Sequence, residues 1–324
     1  MAAIIHDSII DDKCKVSVCM ITYNHEAYVK KAIQSVYMQE TDFPLELVLG
    51  DDASTDNTPE VIRSIVPPPH VRNNIQLRSV NLGMLKNFAS TLQQCSGQYI
   101  ALLEGDDYWI DPKKLQRQVD FLDKNPDFSI CYHSVKFDAG TSTLKDDESG
   151  DDRDVSDIYD LARGNFMHTC SVVFRSNLFG EFPPGFYNST VGDYFLHMLN
   201  AQHGKIKKIP GLMGVYRVHQ GGIWSMQPNM DLKILTYIDA MIGCFEPEVE
   251  IILKRRYQDI AFRSFCNRIE DPDFLDRLLK CTKYGDEALR HGLKNIIVSE
   301  RNSRKSIFSK FRGRLRHMLP FLPR

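Results

Sequence analysis

Three acidic side chains stand close together in the middle of the chain, directly behind an apolar run. In the stretch 101-ALLEGDDYWIDPKKL-115 the carboxylates belong to Glu104, Asp106 and Asp107. Carboxylates held this close repel one another, and each costs free energy to remove from water unless a positive charge lies between them. Mg²⁺ and Mn²⁺ prefer carboxylate and phosphate oxygens, so one interpretation is a divalent-metal site. The other is a solvated turn, because Gly-Asp-Asp also suits turns.

Two other polar clusters follow apolar runs in the same way. Thr22, Tyr23 and Asn24 come at the end of KVSVCMIT, and Asp51 and Asp52 come at the end of LELVLG. Both runs are short and apolar and end in polar residues, which predicts β-strands.

The elements that must position these clusters alternate between strand and helix. Such alternation predicts parallel strands joined by right-handed crossovers, and ligands bind at the carboxyl ends of the strands in sheets of this kind. We therefore expect the three clusters to meet at one edge of a sheet, which favours a binding site over separate turns. Strands are expected over 15–22, 45–52, 75–80 and 99–107, and helices over 24–39 with Asn24 as cap, from Thr58, over 86–94 and from Asp111.

The second half of the chain has a different pattern. Residues 138–160 are acidic and contain few large apolar side chains, which predicts an exposed loop. Beyond it we expect a strand over 170–175, a helix over 191–204, a strand-like stretch over 205–222, and helices from about 226 onward. We predict two domains: a catalytic domain over 1–225 and a helical C-terminal region over 226–324.

Composition excludes several classes of protein. The 324 residues are 43% hydrophobic and 25% charged, as in ordinary soluble globular proteins. A formal net charge of −2 argues against nucleic-acid binding. The eight cysteines form no C-x-x-C pair, so neither a zinc knuckle nor a thioredoxin-type site is indicated. With neither a signal-peptide pattern nor an apolar segment of membrane-spanning length, we expect a cytoplasmic protein.

The order of the motifs resembles that of the bacterial family-2 glycosyltransferases. The segments that carry the resemblance span residues 14–225: VSVCMITYNHEAYVKKAIQSV, DDASTDNT, NLGMLKNF, LLEGDDYWIDPKKL, GDYFLHMLNAQ and YRVHQGG. The subgroup most resembled serves surface-polysaccharide synthesis, as in O-antigen or capsule. The resemblance implies a GT-A fold, that is, a mostly parallel nucleotide-sugar-binding sheet flanked by helices. It also implies a nucleotide-sugar donor, a divalent metal ion (Mn²⁺ or Mg²⁺) and inversion at the anomeric carbon.

The resemblance assigns the metal site. Asp106 and Asp107 match the acidic metal-binding motif of the family. That motif usually begins with aspartate, and Glu104 stands there in this chain, so we assign Glu104 to the donor sugar or ribose. His219, in YRVHQGG, is predicted as a third metal ligand, the alternative being a structural histidine. Arg217 lies two residues earlier and is predicted to pair with a phosphate.

The nucleotide is assigned to the ends of the first two predicted strands. A carboxylate of Asp51 or Asp52 can accept the N3–H of uracil or thymine, a donor that cytosine lacks, so we expect a UDP- or dTDP-linked sugar; the second aspartate aligns better with the family, and the alternative is a capped turn. Thr22, Tyr23 and Asn24 are predicted to close the base and ribose side, although Tyr23 could instead pack against the sheet. Further donor contacts are assigned to Glu26 and Lys86.

Asp193 is the predicted catalytic base. Inverting transfer needs one group to accept the proton of the acceptor hydroxyl, and such bases contribute about 10²–10⁴-fold to the rate. Related sequences usually show Glu-Asp here, whereas this chain has Gly192-Asp193. The alternative role for Asp193 is to cap the helix that follows it.

The C-terminal segment 301–324 is basic, contains no acid, and interleaves aromatic and aliphatic residues with its arginines and lysines. Such a segment fits an anionic membrane surface, and the alternative is a disordered basic tail. We predict peripheral attachment to the inner face of the cytoplasmic membrane, where a lipid-linked saccharide acceptor would be presented.

Three other functions are weighed against the transferase. A nucleotidyltransferase also uses carboxylates at strand ends, but it would normally show a glycine-rich basic loop that VSVCMITYNHE lacks. A catalytically degenerate module that only binds nucleotide sugars is compatible with the Glu104 and Gly192 departures. A nicotinamide-dependent oxidoreductase would need G-x-G-x-x-G after the first strand, and this is missing.

Overall fold

Eleven β-strands form one sheet in the part of the chain that the structure describes. The structure is a computed structural model that describes residues 3–6, 14–140, 143–146, 153–219, 221–222, 229–268 and 271–281. In chain order the strands are β1 (Ala3–His6), β2 (Val16–Thr22), β3 (Leu45–Asp51), β4 (Val71–Leu77), β5 (Tyr99–Glu104), β6 (Tyr108–Trp109), β7 (Phe128–Asp138), β8 (Lys145–Asp146), β9 (Val155–Ser156), β10 (Val173–Arg175) and β11 (Lys205–Arg217).

Helices alternate with the first strands and then dominate the C-terminal part, as the sequence predicts. In chain order they are α1 (Val29–Tyr37), α2 (Thr58–Arg63), α3 (Met84–Leu92), α4 (Lys114–Lys124), α5 (Ile158–Arg163), α6 (Asp193–Ala201), α7 (Met230–Met241), α8 (Pro247–Asn267) and α9 (Pro272–Cys281). A short 3-10 turn, Thr169–Ser171, precedes β10.

The sheet has the order β1-β4-β3-β2-β5-β10-β7-β11-β6. Its first half is parallel: β2 pairs in parallel with both β3 and β5, and β3 pairs in parallel with β4. In the second half β10 runs antiparallel to its neighbours β5 and β7, while β7 and β11 are parallel. The predicted α/β class is confirmed, with the parallel half built from the strands that carry the polar clusters.

Strand β2 is buried on both faces, which explains why its sequence is a continuous apolar run. Val18 and Met20 pack with Ile33 of α1 on one face of the sheet. Cys19 packs with Phe88 of α3 on the other. Because helices cover both faces, side chains can reach open space only where the strands end.

The structure corrects the start of the first predicted helix. Asn24 does not cap a helix: its backbone is left-handed with φ of 55°, and α1 begins at Val29. Its side-chain oxygen instead accepts the N–H of Thr55 at 2.8 Å. The third predicted strand is also displaced, since β4 covers Val71–Leu77 instead of 75–80.

The single exposed loop predicted over 138–160 is wrong in its second part. Strand β9 pairs with β11, and α5 follows at once with a capping box made by Asp157 and Asp160. Ile158 and Leu161 anchor this helix in the core. The acidic residues there serve as helix caps, while their apolar neighbours hold the segment against the core.

The C-terminal helices pack on the same core as α6. Ile238 of α7 and Leu253 of α8 lie in one apolar cluster with Phe195 and Leu196. Among the described residues, no helix combines the length and the apolar character needed to span a membrane. The basic segment 301–324 lies outside the described residues, and the domain boundary at 225 stays a prediction.

Candidate functional site

A cavity of about 800 Å³ opens where β2 and β5 end. Its walls come from the carboxyl ends of β2, β5 and β11, the start of α6, residues 164–169, and the helices α7 and α8. The volume lies in the range of small-molecule binding sites. The parallel topology therefore brings the polar strand ends to one pocket, as the sequence predicts.

The three acids after β5 form a tight cluster at this pocket. One carboxylate oxygen of each of Glu104, Asp106 and Asp107 lies within 4.8 Å of the others. Gly105 allows the turn to approach β2, because a Cβ there would lie 2.7 Å from Oγ1 of Thr22. The glycine is needed for close approach, and its backbone is not in the left-handed region.

Burial and mutual repulsion set the protonation of the cluster. Burial raises the pKa of Glu104 well above its usual value, and the charges of Asp106, Asp107 and Asp193 raise it further. Burial and the charge of Asp106 likewise raise the pKa of Asp107. For Asp106, burial is outweighed by the hydrogen bond to His219 and the charges of the nearby histidines, which lower its pKa. The acids of this cluster oppose one another's ionisation, and a cation between them would relieve the repulsion.

The acids fit a divalent metal ion. Oδ1 of Asp107 accepts the backbone N–H of Arg217 at 2.8 Å, and Oδ2 of Asp106 lies 3.0 Å from Nε2 of His219. The other oxygens, Oδ1 of Asp106 and Oδ2 of Asp107, are buried without a hydrogen-bond partner among the described residues. Buried carboxylate oxygens left free in this way are the ligands that Mg²⁺ and Mn²⁺ prefer.

Two histidines flank Asp106, and the sequence pointed to one of them. The ring centre of His219 lies 4.7 Å from that of Tyr28, with the two rings tilted by 41°, and its Nε2 lies 3.0 Å from Oδ2 of Asp106. His25 was not among the predicted residues, yet its Nε2 lies 3.7 Å from the same Asp106 oxygen. Burial lowers the pKa of His25. The signal for His25 was its place in the motif YNHE, between the assigned Asn24 and Glu26.

Arg217 lies at the cavity wall with its charge already engaged. The guanidinium lies 4.4 Å from the ring centre of Tyr108 and 5.1 Å from that of Tyr28. Its Nε is 3.7 Å from a carboxylate oxygen of Asp138. Its backbone N–H fixes Asp107, so this residue joins the end of β11 to the acidic cluster.

The two aspartates after β3 differ in what they face. The Asp52 side chain lines the cavity, and its carboxylate oxygens accept the backbone N–H groups of Leu82 at 2.7 Å and Gly83 at 3.0 Å. Asp51 is turned away from the cavity and accepts the N–H of Ser54 at 3.1 Å. Each aspartate holds a turn, and only the second reaches the pocket.

Of the other residues assigned to the nucleotide, some line the cavity and others do not. Thr22 and Tyr23 line the cavity, and Tyr23 is 44% exposed, so it does not pack against the sheet. Asn24 and Glu26 do not line it: they bind the backbone N–H groups of residues 55 and 57 and so join the loops after β2 and β3. Lys86 lies exposed on α3, outside the cavity lining.

Asp193 is the first residue of α6 and faces the same cavity as the acidic cluster. Its Oδ2 accepts the hydroxyl hydrogen of Thr169 at 2.7 Å. Gly192 occupies the N-cap position, and the cap makes no side-chain hydrogen bond, so the alternative role of Asp193 as helix cap is wrong. The carboxylate is held by a neighbouring hydroxyl and directed towards the pocket.

Gly192 fills a position where a side chain would collide. A Cβ there would lie 2.9 Å from Cδ1 of Phe88. The glutamate that the family resemblance leads us to expect at this position would therefore collide with the ring of Phe88, and the glycine avoids the collision.

We expect Gly192→Ala to destabilise the protein by about 1–3 kcal/mol, the usual cost of overpacking a well-packed core. Denaturant unfolding measures the change in the free energy of unfolding. Gly180→Ala is the matched control, because a Cβ at Gly180 meets nothing within 4 Å. Equal stability of the two variants would contradict the role of Phe88.

Comparisons with known proteins agree with this geometry. The sequence model of glycosyl transferase family 2 matches residues 17–179, half of the chain. An uncharacterised protein of Mycobacterium tuberculosis (strain ATCC 25618 / H37Rv) is 39% identical over 211 residues, which are 64% of this chain and 60% of that protein. An uncharacterised glycosyltransferase of Nostoc sp. (strain PCC 7120) is 28% identical over 214 residues, 63% of this chain and 65% of that protein. The chain thus spans less than two thirds of the length of either relative.

Solved structures share the fold. The S. aureus TarS structure in complex with UDP-GlcNAc has a TM-score of 0.63 at 17% identity and covers 88% of each chain. The mannosyltransferase PcManGT from Pyrobaculum calidifontis, in complex with GDP-Man and Mn²⁺, has a TM-score of 0.55 at 16% identity, covering 97% of this chain and 82% of that one. The predicted GT-A fold is confirmed by these likenesses. Since the family's sequence pattern extends from β2 to beyond β10 and includes the acidic cluster, the chain belongs to glycosyl transferase family 2.

Proposed function

We propose that the protein is an inverting, metal-dependent glycosyltransferase. It would move a sugar from a UDP- or dTDP-linked donor to a hydroxyl of a lipid-linked or growing surface-polysaccharide acceptor. The observation that carries the proposal is one cavity that holds both the acidic cluster after β5 and the separate carboxylate of Asp193. The acidic cluster suits a metal ion bound to the donor diphosphate, and the Asp193 carboxylate suits a general base.

Asp106 and Asp107 would hold Mn²⁺ or Mg²⁺ through their free oxygens, with His219 and His25 fixing the orientation of Asp106. When bound, the ion neutralises the negative charge that develops on the leaving diphosphate. PcManGT was solved with GDP-Man and Mn²⁺, which supports a similar requirement here. Glu104 belongs to the same acidic cluster and is proposed to contact a hydroxyl of the donor sugar or ribose.

Asp193 is proposed to take the proton of the acceptor hydroxyl. As that oxygen forms its bond to the anomeric carbon, the bond to the diphosphate breaks, and the configuration inverts because the attack comes from the opposite face. The proton ends on the Asp193 carboxylate. The Thr169 hydroxyl donates to Oδ2 and so fixes the carboxylate at the start of α6.

The nucleotide is proposed to lie beside Asp52, Thr22 and Tyr23. Each carboxylate oxygen of Asp52 accepts one backbone N–H, which leaves further acceptor capacity for the N3–H of uracil or thymine. The TarS structure contains UDP-GlcNAc, which supports a uridine donor. Asn24 and Glu26 would act indirectly, because they hold together the two loops that border this end of the pocket.

A panel of nucleotide sugars tests the proposed function. We expect Mn²⁺-dependent release of free nucleotide from one UDP- or dTDP-linked sugar, and loss of that release in chelator. Binding of a nucleotide sugar without any release, in the presence of candidate acceptors, would identify a non-catalytic binding module instead. Failure to bind any member of the panel would reject a nucleotide-sugar function.

We also propose that residues 226–324 end in a membrane-docking tail and that the protein works at the inner face of the cytoplasmic membrane. Each basic residue near an anionic surface contributes about 1 kcal/mol, so even part of the 301–324 segment would hold the protein there. Deleting 301–324 should strongly reduce sedimentation with anionic vesicles and transfer to a lipid-linked acceptor. Release of nucleotide from the donor should be unchanged. Equal vesicle binding by both proteins would contradict the proposal, and neutral vesicles serve as the control.

A further inference from the structure

The cavity extends beyond Asp193 to walls supplied by the C-terminal helices. Tyr237 of α7 and Arg256 of α8 line it there, next to Tyr194 of α6. Asp193 and Tyr237 line the same cavity. This part of the pocket lies next to the proposed base, where an acceptor would approach.

The hydrogen-bond partners of Arg256 in the described part of the chain are neutral groups. Its Nη1 donates to the phenol oxygen of Tyr194 at 2.8 Å, and its Nη2 donates to that of Tyr237 at 2.9 Å. A longer contact of 3.5 Å reaches the carbonyl oxygen of Ala162. Among the described residues, no ion pair between this guanidinium and a carboxylate is found. Arg217, the other arginine of the cavity wall, has Asp138 beside it.

An arginine that is held by neutral groups and is not paired with a carboxylate is suited to bind an anion. The guanidinium has five N–H donors in a planar fork, and the two phenols occupy only part of them. Burial raises the pKa of Tyr194, so its phenol stays neutral and supplies no compensating charge. Burying a cation without a counter-ion costs free energy. An oxyanion that forms paired hydrogen bonds with the guanidinium would offset that cost.

We infer that Arg256 binds an oxyanion, a phosphate or a carboxylate, that belongs to the acceptor. The phenols of Tyr194 and Tyr237 hold the guanidinium in place, and the bound oxyanion sets the acceptor hydroxyl towards Asp193. The acceptor of this enzyme is therefore a negatively charged saccharide or polyol. This assignment rests on the proposed function, since it takes the pocket beyond Asp193 as the acceptor side.

The test is a binding measurement on the full-length protein saturated with UDP and Mn²⁺, so that the donor site is covered. The probes are sn-glycerol 1-phosphate, D-glycerate and glycerol, which share a small polyol skeleton and differ in phosphate, carboxylate or no charge. We expect at least one of the two charged probes to bind, and glycerol not to. Arg256→Gln should weaken that binding roughly tenfold to hundredfold, the range for losing hydrogen bonds to a charged group.

Two further variants make the result specific. Arg255→Gln removes the same charge from an exposed neighbour on α8 and should leave probe binding unchanged. Arg256→Lys keeps the positive charge but not the planar guanidinium, so the loss of probe affinity should be smaller than with Arg256→Gln. UDP affinity should be equal in all variants, which shows that the fold and the donor site are intact.

Three outcomes would overturn the inference: no binding of either charged probe to the wild-type protein, equal binding by wild type and Arg256→Gln, or binding that occurs only when UDP and Mn²⁺ are absent. Failure of the proposed function gives a different result from failure of this inference. If the proposed function is wrong, UDP does not bind to the wild-type protein, regardless of whether the charged probes bind.

Discussion

Replacing Asp193 by Asn should reduce sugar transfer by roughly 10²–10⁴-fold, the contribution expected of a general base. The amide oxygen can still accept the hydroxyl hydrogen of Thr169, which now fixes Oδ2 at 2.7 Å, so the start of α6 should keep its geometry. The amide cannot take a proton from the acceptor. Transfer is measured by single-turnover release of nucleotide in the presence of acceptor, and donor affinity by calorimetry.

Asp127→Asn is the matched control for this experiment. It removes an exposed carboxylate that pairs with Lys205 at 2.8 Å, far from the cavity lining. Donor affinity and the unfolding midpoint should be close to those of the wild type in both variants. Near-normal transfer by Asp193→Asn would show that another group takes the proton.

Removal of the divalent ion should weaken donor binding on the order of a hundredfold or more. Two unit charges 4 Å apart interact by about 4 kcal/mol at the effective dielectric constant of a protein surface, and without the ion a diphosphate would meet the acidic cluster directly. Calorimetric titration of the donor in chelator, and then with Mn²⁺ restored, measures the effect. Affinity that is the same with and without the ion would refute the metal site.

Single substitutions locate the ion within the acidic cluster. Asp106→Asn and Asp107→Asn should each lower the affinity for Mn²⁺ and the Mn²⁺-dependent part of donor binding. In Asp107→Asn the amide oxygen can still accept the backbone N–H of Arg217, so the end of β11 should stay in place. Glu104→Gln should have a smaller effect on Mn²⁺ affinity, because we assign Glu104 to the donor sugar or ribose and not to the ion. An equal loss of Mn²⁺ affinity in all three variants would assign Glu104 to the metal as well.

The sequence by itself determined the parallel half of the sheet and the edge at which its polar clusters meet. The apolar runs before Thr22, Asp51 and Glu104 predicted three strands whose ends meet, and β2, β3 and β5 are indeed parallel neighbours. The reason is local: a strand buried on both faces must be apolar along its length, and parallel strands place their carboxyl ends at one edge. The resemblance in motif order then pointed to the family.

Only the tertiary structure decided which polar residues of each cluster reach the cavity. Asp51 and Asp52 are adjacent in sequence, yet only the second lines the pocket. Asp51 ends β3 and accepts the N–H of Ser54, whereas Asp52 follows the strand and accepts the N–H groups of Leu82 and Gly83. Asn24 lies in a cluster of the same kind and is turned away by a left-handed backbone that its sequence context did not reveal. Local patterns predict where a cluster lies but not the direction of each side chain.

Long-range packing supplied the rest of the site. Arg256 lies 62 residues from Tyr194 along the chain, on a helix whose pattern indicated nothing beyond a helix, and it reaches the cavity only because α8 packs on the core of α6. The space at Gly192 is filled by Phe88, a contact between two helices that no spacing within either helix predicts. Contacts of this kind depend on how whole elements dock, and docking is a property of the assembled core.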